Sequence, residues 1–149
     1  VSIMLIGHVG VAVGLAKRAL KEIKRIVLVN KTSGDHINRQ DFQIEFARET
    51  SRLKAIDAYL ISTLDNVEIA ISEKENLSEY IDAVRLASVF STEECAKIIR
   101  FAYDRAGTHA IHVDSTLGRI FRDFHVANQH ILIDITQYQK LGIKMLEQQ

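Results

Sequence analysis

No proline occurs in the 149 residues, and only seven glycines do. Proline removes a backbone donor and breaks helix interiors. Its absence, together with abundant Ala, Leu, Ile, Glu, Lys and Arg, favours long uninterrupted helices. The single cysteine, Cys95, excludes an internal disulfide and a thiolate metal site, and it fits a reducing, cytoplasmic compartment. Its surroundings, Thr92-Glu-Glu-Cys-Ala-Lys-Ile98, read as a helix with the thiol on the buried stripe. No histidine or basic group stands beside it to depress its pKa, so it reads as an inert core group.

Neither sign of charge is in excess, with 19 Lys plus Arg against 19 Asp plus Glu. The chain therefore carries no global field for nucleic acid or an anionic membrane surface, and neither is expected as a partner. Long apolar runs are also missing. His8, Lys17 and Arg18 interrupt the apolar start well short of the ~20 residues that span a bilayer, and no basic start or small-residue cleavage site marks a signal peptide. Without a Gly-rich phosphate loop, a Walker lysine or a Gly-x-Ser-x-Gly elbow, hydrolase and nucleotidase chemistry has no starting point. The pairs His109/His112 and His125/His130 lack an accompanying Glu-x-x-His pattern, and no metal site is expected.

What is present is helical periodicity in a chain the size of one domain. Helix one is predicted over Ser2 to about Lys31, with Ile6, Val9, Val13, Ala16, Leu20, Ile23 and Val27 inward; Gly7 and Gly14 share a face suited to close helix packing. A loop follows over 32–38. Helix two, about Arg39 to Ser72, carries Phe42, Phe46, Leu53, Ile56, Leu60, Leu64 and Val67 as a seam. After a turn over 73–77, Ser78 is expected to cap helix three, which runs to about Ala106 with Gly107 as its stop. The segment 108–114 reads as irregular. Ser115 then caps a fourth helix, Thr116 to about Gln129, and a tail helix covers Thr136 to Gln148. The predicted fold is all-α, an antiparallel up-and-down four-helix bundle with an additional C-terminal tail helix.

The fourth helix is chemically dense. Arg119, Arg122, Asp123 and His125 fall within two turns, and His130 follows a few residues on. Asp123 can meet Arg119 at i,i+4. Two guanidiniums facing one carboxylate leave a cation for a second acid or an anionic ligand. A structural ion-pair network and direct ligand contact are both compatible with that pattern. His130, after Gln129 and before Ile131-Leu-Ile133, reads as a half-buried imidazole that can hydrogen-bond one oxygen atom.

The stretch from Phe101-Ala-Tyr-Asp-Arg-Ala-Gly107 through Ser115-Thr-Leu-Gly-Arg-Ile-Phe-Arg-Asp-Phe-His125 to Gln129-His130 resembles the C-terminal helical domain of the acyl-CoA dehydrogenase superfamily. Within it, the segment is similar to the flavin-dependent monooxygenases that include the hydroxyphenylacetate hydroxylase oxygenases and dibenzothiophene monooxygenase. Gly14-Leu-Ala-Lys-Arg-Ala-Leu20 resembles the family's first C-terminal helix. Thr116 and Gly118 stand where the family commonly has proline and glutamine. Acyl-CoA dehydrogenases proper carry Tyr-Glu-Gly-Thr after their Arg-Asp; Asn128-Gln-His130 and Asp134-Ile-Thr136 stand here instead, which favours the oxygenase branch.

The resemblance implies that residues 1–149 are the single C-terminal domain of a larger flavoenzyme, whose preceding domains complete the pocket. It implies reduced flavin, FMN or FAD, delivered by a separate flavin reductase and bound only with those domains. Reaction with dioxygen to a C4a-hydroperoxide would then hydroxylate a small aromatic or heteroaromatic substrate. His130 matches the histidine beside the peroxide and is the candidate catalytic residue. His125, Arg119 and Arg122 are the candidate cofactor-side residues, with Arg119, Arg122 and Asp123 matching an ion-pair cluster used in positioning and subunit packing. A homodimer or homotetramer is implied. The alternatives are an acyl-CoA dehydrogenase-like domain and a noncatalytic helical module for oligomer assembly.

Overall fold

The computed structural model describes residues 2–29, 39–129 and 136–147, and these form helices joined by turns. The elements are α1 (Ser2–Val29), α2 (Gln40–Ser72), α3 (Ser78–Ala106), α4 (Thr108–Ile111), α5 (Thr116–Ala127) and α6 (Thr136–Glu147). The all-α class is as the composition implies. The predicted loop over 32–38 and the last residue of the tail helix lie outside the described residues.

The three long helices run up, down and up. At one end Val27 and Leu28 of α1 meet Phe42 and Phe46 of α2. At the other, Ile6 and Val9 face Leu60 and Leu64. Phe42 stacks on Phe101 at 5.9 Å and Tyr59 meets Phe90 edge-on at 5.9 Å, which sets α3 antiparallel to α2. Consequently α1 and α3 run parallel, and they form the most extensive helix pair. Small side chains allow it: Ala12, Ala16 and Ala19 on α1 and Ala87, Ser91, Cys95 and Ala102 on α3 are all buried. The glycines play no part in that approach, contrary to the sequence expectation. A Cβ on Gly7 or Gly14 would meet no atom within 4 Å, because both lie on the open side of α1.

The buried seam of α2 also differs from its apolar pattern. Phe42, Glu49, Ile56, Thr63 and Ala70 are its buried residues, a strict seven-residue repeat such as winds one helix along another. Phe46, Leu53 and Leu60 flank the seam and pack on the core, while Leu64 is 36% exposed. Burying a carboxylate at Glu49 requires a cation, and Arg52 supplies it at 2.8 Å. The same guanidinium also pairs with Glu94 of α3, which Lys97 caps from the other side. Burial alone would push the Glu94 carboxyl up, but hydrogen bonds from Lys97 and Arg52 outweigh it and hold the group below its ordinary range. Arg105 of α3 reaches back to Glu45 at 2.7 Å and Asp41 at 3.2 Å. The ion pairs that join α2 to α3 are therefore made by Arg52 and Arg105.

Helix ends follow local chemistry. Gly107 sits at φ 55°, a region that favours glycine, and stops α3 as expected. Ser78 does not cap α3. Leu77 stands at the N-cap without a side-chain hydrogen bond, and Asn76 before it accepts the Ser78 N–H on Oδ1 at 3.0 Å. The segment expected to be irregular holds the one-turn α4. Ser115 caps α5 as predicted, its hydroxyl accepting from the Gly118 N–H at 3.1 Å. The tail helix α6 is pinned to α3 by buried Leu141, by Tyr138 donating to Glu93 at 3.0 Å, and by the Lys144–Asp82 ion pair.

Candidate functional site

The cap at Ser115 fixes where α5 begins, and that start sets which residues face inward. Leu117, Ile120 and Phe124, at i, i+3 and i+7, are buried and join the core shared with α1 and α3. Helical geometry then forces Arg119, Arg122, Asp123, His125 and Val126 onto the outer face, where all are exposed. Gly118 lies between the faces and is buried. A Cβ there would stand 2.4 Å from the Ala110 carbonyl oxygen of α4, so the site tolerates no side chain. The glutamine common at this position in the resembling family would not fit this backbone.

His125 is held by aromatic packing. Tyr103 of α3 stacks on Phe121 at 4.2 Å and 27°, and His125 sets its ring against Phe121 at 4.2 Å and 66°. Phe124 adds a further edge contact at 5.9 Å. Such pairs contribute about 0.5–1.5 kcal/mol beyond burial. They orient an imidazole that would otherwise sweep freely on an exposed face. The ring also lies in the last turn of α5, where a helix favours positive charge.

Arg119 and Asp123 do not form the expected i,i+4 pair. Among the described residues neither Arg119, Arg122 nor Asp123 has an ion-pair or hydrogen-bond partner at its side chain. Fold-stabilising ion pairs are made elsewhere, by Arg52 and Arg105, leaving two guanidiniums and one imidazole at the outer face of α5. Guanidiniums of this kind suit phosphate or carboxylate groups. Next to them Val126 is 75% exposed, and across the α4–α5 turn Ile111 and Val113 are 68% and 90% exposed. The result is an open face of apolar groups with two guanidiniums, an imidazole and the Asp123 carboxylate. His130 lies outside the described residues.

Tyr103 and Phe121 shape this face although the sequence reading gave them no role, and Gly118, noted there only as a departure from the family's glutamine, shapes it too. Phe121 and His125 are i,i+4 and were findable as a pair. Tyr103 was not, because its contact depends on how α3 and α5 dock.

Residues 6–135 match the family described as acyl-CoA dehydrogenase, C-terminal domain. Among solved structures the fold is similar to the HsaA monooxygenase from M. tuberculosis, with a TM-score of 0.82 at 17% identity, covering 95% of this chain and 38% of that one. It is similar also to the 3-HSA hydroxylase from Rhodococcus sp. RHA1, with a TM-score of 0.81 at 18% identity and the same coverage, 95% and 38%. The chain thus spans well under half the length of these proteins. Among curated proteins no relative matches the sequence. No helix among the described residues is long and apolar enough to cross a membrane.

Proposed function

Because the chain belongs to the acyl-CoA dehydrogenase C-terminal domain family, we propose that it is the C-terminal helical domain of a flavin-dependent monooxygenase acting on a small aromatic or heteroaromatic substrate. The observation that carries this reading is the outer face of α5, where Arg119 and Arg122 have no acidic partner among the described residues and an aromatic stack presents His125. That donor set fits a flavin. The guanidiniums suit its phosphate or the polar edge of its ring, and the exposed apolar groups suit its planar surface. An open face needs a second wall to exclude water, which in this reading comes from preceding domains of a longer polypeptide.

When bound, reduced flavin, as FMN or FAD, supplies the oxygen chemistry. The chain's own part is to bind and orient. Arg119 and Arg122 neutralise negative charge, His125 covers the pocket with a fixed ring, and His130 is the proton donor and acceptor at the reacting oxygen. A cytoplasmic location and a separate reductase belong to the same reading. The second reading, assembly, is favoured by one observation: Ile61, Ile69 and Ile71 are 59%, 54% and 58% exposed on α2. A homodimer or homotetramer through that face is compatible with oxygenase function.

Calorimetric titration of reduced FMN and reduced FAD tests the proposal. The longer polypeptide is expected to bind one of them, with Kd raised about tenfold by Arg122→Gln, as befits loss of one charge-assisted hydrogen bond. The 149-residue chain alone is expected to bind at least about a hundredfold more weakly. Tight binding to the isolated chain would remove the need for a second wall, and no binding to the longer polypeptide would leave assembly as the function.

A further inference from the structure

The ring stack on α5 is anchored from another helix. Tyr103 of α3 and Phe121 of α5 are both half-buried and pack on the edge of the core. The core they border already contains Ile99 and Ala102 of α3 and Leu117, Ile120 and Phe124 of α5, all buried. The Tyr103–Phe121 contact, at 4.2 Å and 27°, thus lies at the rim, between the filled interior and the outer face of α5. The Tyr103 hydroxyl has no hydrogen-bond partner among the described residues, so the ring alone makes this contact.

A stack at the rim fixes the rotamer of Phe121. A helical aromatic that faces solvent can choose between χ1 wells near 180° and −60°, and a second ring laid against it selects one of them. Phe121 then meets His125, one turn on, at 4.2 Å and 66°, a closer approach than that of Phe124 at 5.9 Å. His125 makes no ion pair, and neither of its ring nitrogens has a hydrogen-bond partner among the described residues. An imidazole is commonly oriented by a hydrogen bond to one nitrogen. Here ring contacts orient it, and both nitrogens stay free.

We infer that Tyr103 is a positioning residue of the α5 face: acting through Phe121, it sets the His125 imidazole before binding, so that a ring nitrogen is ready for the polar edge of a flavin. The inference rests on the flavin reading of that face. Arg119 and Arg122 can only donate, whereas a neutral imidazole donates at one nitrogen and accepts at the other. The polar edge of a flavin ring carries carbonyl acceptors beside an N–H donor, which arginines alone do not match. A side chain ordered in advance also avoids the entropy lost when binding must order it.

Titration calorimetry of the longer polypeptide with reduced FMN and reduced FAD, and NMR of its isotope-labelled histidines without flavin, test the role. Tyr103→Leu should raise the Kd of the flavin that binds about three- to tenfold, the loss expected when one free side chain is ordered at binding. Tyr103→Phe keeps the ring and should leave that Kd unchanged. In a His125→Ala background Tyr103→Leu should cost nothing more, because the group it positions is gone. The His125 ring resonances of the flavin-free protein should move in Tyr103→Leu and stay in place in Tyr103→Phe, with thermal melting confirming that both variants are folded. An equal rise in Kd with and without His125, or resonances that Tyr103→Leu leaves in place, would show a merely structural residue and overturn the inference while the flavin reading stands. Binding of neither flavin by wild type would overturn the flavin reading, and this role with it.

Discussion

Gly118→Ala separates steric necessity from helix propensity at one position. An alanine Cβ would lie 2.4 Å from the Ala110 carbonyl oxygen, about 1 Å short of ordinary contact, and that oxygen belongs to backbone rather than to a flexible side chain. Relief requires α4 or the start of α5 to move, and overpacking of this kind costs about 1–3 kcal/mol. Against it stands the gain of replacing glycine in a helix, about 1 kcal/mol. The net expectation is destabilisation by up to about 2 kcal/mol, or a fall in Tm of up to about 8 °C at 2–4 °C per kcal/mol for a domain of this size. Gly14→Ala is the matched control. It is also within a helix, its Cβ meets nothing within 4 Å, and its Tm should rise by about 1–4 °C. Thermal unfolding followed by circular dichroism reads both. A Gly118→Ala variant melting at or above wild type would refute the close approach of α4 to α5, and with it the reason this chain has glycine there.

Three further outcomes follow from the core and its charges. Phe124→Ala, at a side chain 2% exposed, should cost about 3–5 kcal/mol in chemical denaturation, whereas Val126→Ala two residues on should change stability by less than about 0.5 kcal/mol. Glu94→Gln should cost about 1–2 kcal/mol at pH 7. Because the folded carboxyl is held below its ordinary 4.5, that stabilisation is present above about pH 4.5 and lost as pH falls through the folded value; a gap between wild type and variant that does not narrow as pH falls below 4.5 would count against the Arg52–Glu94–Lys97 network. Cys95, whose thiol burial pushes up to about 12, should resist a disulfide reagent at pH 8 until the chain is unfolded, so rapid modification of native protein would contradict its placement in the core.

Periodicity and caps made much of the fold legible. The Ser72 and Ala106 boundaries and the Ser115 cap agree with the structure, because each combines a change of pattern with a local chemical signal, whereas Ser78, expected as a cap, is the first residue of α3. Four-residue α4 has too few residues to show a period. The true seam of α2 was hidden by its own polar members, since Glu49 and Thr63 read as surface while Leu64 read as core. What makes Glu49 buriable is Arg52, three residues on, but that Arg52 is drawn inward depends on its second partner Glu94, 42 residues beyond it, and no local window contains that contact. Gly7 and Gly14 show the converse error: the pattern was real, but the alanines of α1 make the close approach.

The candidate site divided along the same line. That Arg119, Arg122 and His125 share the neighbourhood of one helix face was readable from spacing alone. Whether the arginines serve each other, an acid or a ligand depended on which arginines the bundle needs, and Arg52 and Arg105 meet that need. His125 takes its orientation from Phe121, which Tyr103 of α3 holds in turn through a long-range contact.

The most direct test of the oxygenase reading is the coupling of the longer polypeptide. It would be supplied with reduced flavin, dioxygen and a panel of phenols, and hydroxylated product and free hydrogen peroxide would be measured for wild type and His130→Ala. Loss of a general acid–base group is expected to cut product by about 100-fold or more, with peroxide rising to match the flavin oxidised. Unchanged coupling in the variant, or no product from any phenol with wild type, would contradict a role for this domain in flavin oxygenation.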